Sequence, residues 1–68
     1  KIDGASHILS DIAIAYYFRG NYELAIRNHL EALELRQQFG NKRFIAISYN
    51  NIGLVYRARK DYVNAALY

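Results

Sequence analysis

Between residues 6 and 19 the apolar side chains fall at Ile8, Leu9, Ile12, Ala13, Ala15 and Tyr16. These steps of three and four mark a helical face. Gly20-Asn21 interrupts the pattern; glycine supplies a left-handed cap and Asn21 a start for the next helix. A second helix is predicted over 22–39, through Leu24, Ala25, Ile26, Leu30, Leu33 and Leu35. On its wet side the pairs Glu23/Arg27 and Arg27/Glu31 sit four apart, each worth about a few tenths of a kcal/mol. Gly40-Asn41 is the next stop. A third helix is predicted over 43–59, with Ile45, Ser48, Tyr49, Ile52, Gly53, Val55 and Tyr56 on its packing side. Lys60-Asp61 turns the chain, and a fourth helix is predicted over 62–68. Such short links force neighbouring helices antiparallel. No segment alternates with period two, so the expected fold is all-α.

The pattern recurs. Sliding the chain by 40 positions superposes Ile12 on Ile52, Tyr16 on Tyr56, Arg19 on Arg59, Tyr22 on Tyr62 and Ala25 on Ala65. Similar residues fall between them: Leu9 on Tyr49, Ala13 on Gly53, Asn21 on Asp61. The matches concentrate at apolar and small positions, as a structural repeat requires.

The first copy reads Leu9, Ile12-Ala13, Tyr16, Gly20, Tyr22, Ala25, with Ala32 further along. The second reads Tyr49, Ile52-Gly53, Tyr56, Lys60, Tyr62, Ala65. This layout resembles the tetratricopeptide repeat, in which small residues let helices cross closely and aromatics fill the space left. The resemblance implies antiparallel helix-turn-helix units forming part of a right-handed α-solenoid. It divides the chain into a first repeat over 6–40 and a second over 43–68. The period of 40 exceeds the usual value of about 34. It is similar to the longer subclass found in cell-polarity adaptors, kinesin light chains and bacterial regulators. The runs 29–36, 40–42 and 45–53 are especially similar to sensory arrays of bacterial histidine kinases and diguanylate cyclases. Three features depart from the family pattern. His29 stands at a bulky-aromatic position, Lys60 replaces the turn glycine, and the proline after the second helix is missing.

Composition narrows the reading. The chain has 68 residues, with no cysteine, methionine or proline. A chain of this size is marginal alone. The missing methionine, and a helical pattern running to Tyr68, lead us to expect a piece of something longer. Neither a disulfide nor a thiolate metal site can form. No apolar run is long enough to span a membrane, so no membrane partner is expected, and a cytoplasmic setting is. The net charge of +3 and pI of about 9.4 favour acidic partners but fall short of a nucleic-acid signature. His7 and His29 have no ligand-spaced companions, so no metal is expected. Without a nucleophile–base pair or phosphate loop, neither catalysis nor a cofactor is expected.

The resemblance implies a groove lined by the first helix of each repeat. On the third helix its stripe comprises Ile47, Asn50, Asn51, Leu54, Arg57 and Ala58; on the first, His7, Ser10, Asp11, Ile14, Tyr17 and Phe18. In family members that grip peptides, an asparagine placed like Asn51 hydrogen-bonds the ligand backbone, for which an amide has both donors and an acceptor. Its bland reading is a bridge between helices. Asn50 reads mainly as solvated. Arg57 can hold a carboxylate or simply face water. Tyr17 and Phe18 are either partner anchors or packing for a preceding repeat. Ser10 and Ile14 stand where a carboxylate clamp needs a lysine and an asparagine, so a full clamp is rejected. The expected function is binding of a protein or peptide, as an acidic or extended segment. The alternative is self-association through open repeat ends, giving a homo-oligomer.

Overall fold

The helix boundaries follow from turn chemistry. In the computed structural model, which describes residues 4–61, 64 and 67, α1 is Gly4–Phe18, α2 Tyr22–Phe39 and α3 Lys42–Ala58. These differ from the predicted ends by no more than two residues. Of the expected fourth helix only Asn64 and Leu67 are described, both helical; Tyr62 and Ala65 of the second copy lie outside the described residues. None of the described helices is long and apolar enough to cross a membrane.

The turns after α1 and α3 share one hydrogen-bond pattern. After α1, Gly20 N donates to Tyr17 O (3.0 Å) and Asn21 N to Tyr16 O (2.9 Å). Forty positions on, Lys60 N donates to Arg57 O (2.9 Å) and Asp61 N to Tyr56 O (2.8 Å). Both are left-handed helix stops in which a positive-φ residue turns the chain so that the last carbonyls find donors. The next residue then caps the following segment: Asn21 accepts from Leu24 N, and Asp61 from Asn64 N and from Asn64 Nδ2 at 2.9 Å. The Asn64 amide, with help from Arg59, holds the Asp61 carboxyl below its ordinary range. Asn41 opens α3 in the same way.

The two stops are not equally relaxed. Gly20 has φ 78°, whereas Lys60 carries a side chain at φ 63°. A non-glycine residue in that region costs roughly 1–2 kcal/mol.

Both α1 and α3 pack on α2. The apolar centre comprises Ala25, Ile26 and Val55, bordered by Tyr16, Tyr17, Tyr22 and Tyr56. Ala13, Ala32, Leu33 and Ile52 are buried beside it. On α3 the buried line is Ser48, Ile52 and Val55, within the predicted packing face. On α1 the prediction needs correction. The buried line is Ser6, Ser10 and Ala13, while Ile8 and Ile12 are 61% and 41% exposed. Hydrophobic spacing pointed to the isoleucines, but a polar group on α2 bonds Ser6 and brings its face inward, Ser10 included although its hydroxyl finds no partner.

That group is Arg36, 3% exposed. Its Nε donates to Ser6 Oγ on α1 (3.2 Å), and its Nη1 to Ser48 Oγ (2.6 Å) and Phe44 O (3.4 Å) on α3. Its Nη2 lies 3.4 Å from His7 Nδ1. The guanidinium carbon is 5.4 Å from the Phe44 ring centre, and the His7 ring meets Phe44 edge-on at 4.6 Å. One planar fork therefore ties three helices through donors of fixed direction.

At the opposite end, Arg59 forms an ion pair with Glu23 and another with Asp61 (3.1 Å), with its guanidinium 5.3 Å from the Tyr56 ring centre. Arg59 therefore ties the turn after α3 to the start of α2, and Glu23 meets it rather than Arg27. Such exposed pairs are worth about 0–1 kcal/mol.

Two stability predictions follow from these contacts. Arg36→Met should cost about 2–4 kcal/mol in urea unfolding, since it strands buried hydroxyls and a carbonyl. A loss under about 1 kcal/mol would remove Arg36 from this role. Lys60→Gly should gain roughly 0.5–1 kcal/mol, the relief of φ strain exceeding glycine's extra unfolded-state entropy. A lowered thermal midpoint would contradict it.

Candidate functional site

Because α1 and α3 run side by side across α2, each presents one stripe to the seam between them. Arg36 closes the end of this seam near the start of both helices. Seven residues earlier on α2, roughly 10 Å along its axis, the seam opens into a hollow of about 170 Å³. Ile14, Tyr17 and Phe18 of α1 line it, facing Asn51, Leu54 and Val55 of α3, with His29 of α2 between them. Ile14 and Leu54 are 40% and 44% exposed and form the rim, and Phe18 stands out at 79%. Tyr17 is half-buried, stacked edge-on with Phe18 at 5.4 Å and tilted against Tyr22 at 5.8 Å.

The sequence-predicted site residues divide cleanly. Asn51, Leu54 and Tyr17 come together at the hollow, with Ile14 and Phe18 of the same predicted stripe. Ile47, Asn50 and Arg57 are exposed on α3 and do not line it. Ser10 leaves the groove altogether, being buried beside Ser6 and Ala13. His7 meets Arg36 and Phe44 instead. The Asn51 amide is half-buried and has no hydrogen-bond partner among the described residues. Its two donors and one acceptor are available where the rim is otherwise apolar.

Sequence reasoning missed the floor. His29 is 2% exposed, and its Nδ1 has no partner among the described residues. Burial, reinforced by the Arg36 cation, pushes its pKa from 6.5 down to about 4, so the ring is neutral at pH 7. The available signal was register: His29, Leu33 and Arg36 follow at helical steps along the buried stripe of α2.

A larger hollow of about 690 Å³ lies along α2 and the end of α3, bordered by Glu23, Arg27, Glu31, Glu34 and Arg59. Its charges are of both signs, and Arg59 is already held by Glu23 and Asp61. No set of groups converges there on a ligand.

Two stacked first helices on a shared second helix, with small residues Ala13 and Ala25 fully buried, define a helical-repeat protein. The chain belongs to the tetratricopeptide repeat family, whose model matches residues 4–68. Among curated proteins and solved structures, none matches it at a significant level. The family is generally a scaffold for protein–protein interaction.

His29 links the hollow to stability. Its folded pKa lies below its unfolded value, so between these values the unfolded chain binds the extra proton. Its contribution is therefore fully present above about pH 6.5 and is lost as pH falls toward 4. Between pH 7 and pH 5 the unfolding free energy should drop by about 1–2 kcal/mol through this group. His29→Phe should remove that part of the drop; His7 is common to both proteins and cancels in the difference. Parallel pH profiles for the two would refute the assignment.

Proposed function

We propose that this chain is a non-catalytic protein- or peptide-binding segment that takes an extended partner along the α1–α3 seam. The observation that carries the reading is the unpartnered Asn51 amide beside an apolar hollow rimmed by Ile14 and Leu54. An amide in that position can pair with a partner's peptide unit while an apolar side chain enters between the helices. Arg57, one turn past Leu54 on α3, suits a partner carboxylate. The net charge of +3 supports an acidic partner in the same sense. Asn50 and Ile47 extend the contact along α3, and Tyr17 supplies a rigid ring on the opposite wall. By its likeness to sensory arrays, we place the segment in a cytoplasmic signalling protein, as the part that receives a partner.

The second reading, self-association, is supported by Ile8 and Ile12, exposed on the outer side of α1. One experiment separates the two. Peptides selected from a random display library are titrated calorimetrically into the chain, and the same samples are sedimented. Under the binding reading, Asn51→Ala with Leu54→Asp weakens affinity at least about tenfold, as loss of central contacts does, and the free chain stays monomeric. Unchanged affinity would remove the site. A concentration-dependent dimer abolished by Ile8→Asp and Ile12→Asp would favour self-association.

A further inference from the structure

Where α1 and α3 end, the chain carries positive charge that no described carboxylate answers. Arg57 lies in the last turn of α3, Arg19 follows α1, and Lys60 stands in the turn after α3. All three are exposed, and none pairs with a carboxylate among the described residues. The acidic side chains at that end, Glu23 and Asp61, are both taken by Arg59. The end of α3 adjoins the turn after α1, since Arg19, Gly20 and Arg59 border one hollow there. Glu31 and Glu34 lie elsewhere, along the larger hollow beside α2. On the seam stripe the acidic residue is Asp11, exposed one turn before Ile14. The seam thus runs from an anion, across the apolar hollow, to unanswered cations. Cations near helix ends offset the helix dipole, but that does not account for Lys60. A side chain held at φ 63°, where glycine would relax the turn, marks a place where the side chain itself has a use.

We infer, resting on the groove reading above, that the seam takes an acidic segment in one polarity: an apolar side chain enters the hollow and the carboxylates beyond it lie over Arg19, Arg57 and Lys60. Spacing permits this. Leu54 rims the hollow, and Arg57 is three residues on, about 4.5 Å along the helix. An extended segment advances about 3.3 Å per residue, so the first or second residue past the anchor comes alongside Arg57. A carboxylate does not replace the anchor, because Ile14, Leu54 and Val55 would strip its water without return. In the reverse polarity the carboxylates meet Asp11 and the cations stay uncovered. Juxtaposed like charges are a general means of rejecting a wrong partner or register. Each exposed ion pair contributes modestly, so the preference comes from the sum of the three cations and the opposing Asp11.

The test uses peptides selected from a random display library on the 68-residue chain and titrated calorimetrically. The selected peptides should share one apolar residue with acidic residues enriched on one side of it only. Moving those acids to the other side should weaken binding at least about fivefold, and Asp11→Asn should narrow that gap. Selection repeated on Arg19→Glu with Arg57→Glu should enrich basic residues at the same positions. Lys60→Gly separates binding from folding. It should melt higher than the parent, because the strain is relieved, yet bind the acidic peptides roughly two- to fivefold more weakly. That loss should shrink as salt screens the charges. A lysine serving only the turn would leave affinity unchanged. The two levels fail separately. Peptides that need Asn51 and Leu54 but show no one-sided acidic bias, or that bind Lys60→Gly as well as the parent, overturn the polarity and leave the groove. Peptides indifferent to Asn51 and Leu54, or a selection that yields no binder, overturn the groove itself.

Discussion

The arrangement of this chain depends on a charged side chain placed where a short helical protein would ordinarily put leucine. Arg36 projects from α2 into the junction with α1 and α3 and is bound there by Ser6, Ser48, Phe44 O and the His7–Phe44 ring pair. A guanidinium so buried is tolerated only when its donors are met. Those donors lie in one plane, so meeting them fixes helix rotation as well as distance. This is why Ser6 turns inward on α1, with Ser10 and Ala13 following on the same face, and Ile8 and Ile12 turn out. An apolar contact at the same place would tolerate several rotations of α1; the fork selects one. Removing it should therefore disturb the relation between first helices more than the turns that join them.

Those turns carry the rest of the order, and they do so locally. The stop after α1 and the stop after α3 use equivalent hydrogen bonds at positions 40 apart, followed by Asn21 in one case and Asp61 in the other. Local rules of this kind act without the core, since cap residues satisfy helix ends from within a few positions. Lys60 shows the limit of the rule. The repeat requires a positive φ there, and the chain accepts the strain of a side chain at φ 63° rather than lose the turn.

This division explains what could be read in advance. Helix extents, stops and the small–aromatic repeat are written in short-range spacing, and the packing face of the third helix was recovered for the same reason. Asn51, Leu54 and Tyr17 could be placed on stripes by helical period, with the family resemblance implying that those stripes line a groove. The inward face of α1 could not. Its isoleucines carry the stronger hydrophobic signal, and only a contact 30 residues away, Arg36 to Ser6, reverses it. The floor of the hollow was hidden likewise. The sequence marked His29 as a departure at a bulky-aromatic position, and nothing local marks its Nδ1 as unmatched.

His29 and Arg36 belong to one stripe of α2, and their roles are coupled by the shape of the seam. Short serines face Arg36 at one end, so α1 and α3 can both reach it. Ile14, Tyr17 and Leu54 stand at the other end, where larger side chains keep the walls apart and leave about 170 Å³ between them. Rebuilding the whole junction as apolar, with Ser6 and Ser48 replaced along with Arg36 and His29, would gain stability in isolation, as replacement of buried ionic groups often does. It would also let the seam collapse onto a leucine at position 29, closing the hollow. The polar pair holds the seam open at one end by pinning it at the other. The Arg36 cation also helps keep His29 uncharged, so the stripe does not carry a second buried cation. Stability given up in the core thus appears as a shaped recess between α1 and α3 rather than as a tighter interior.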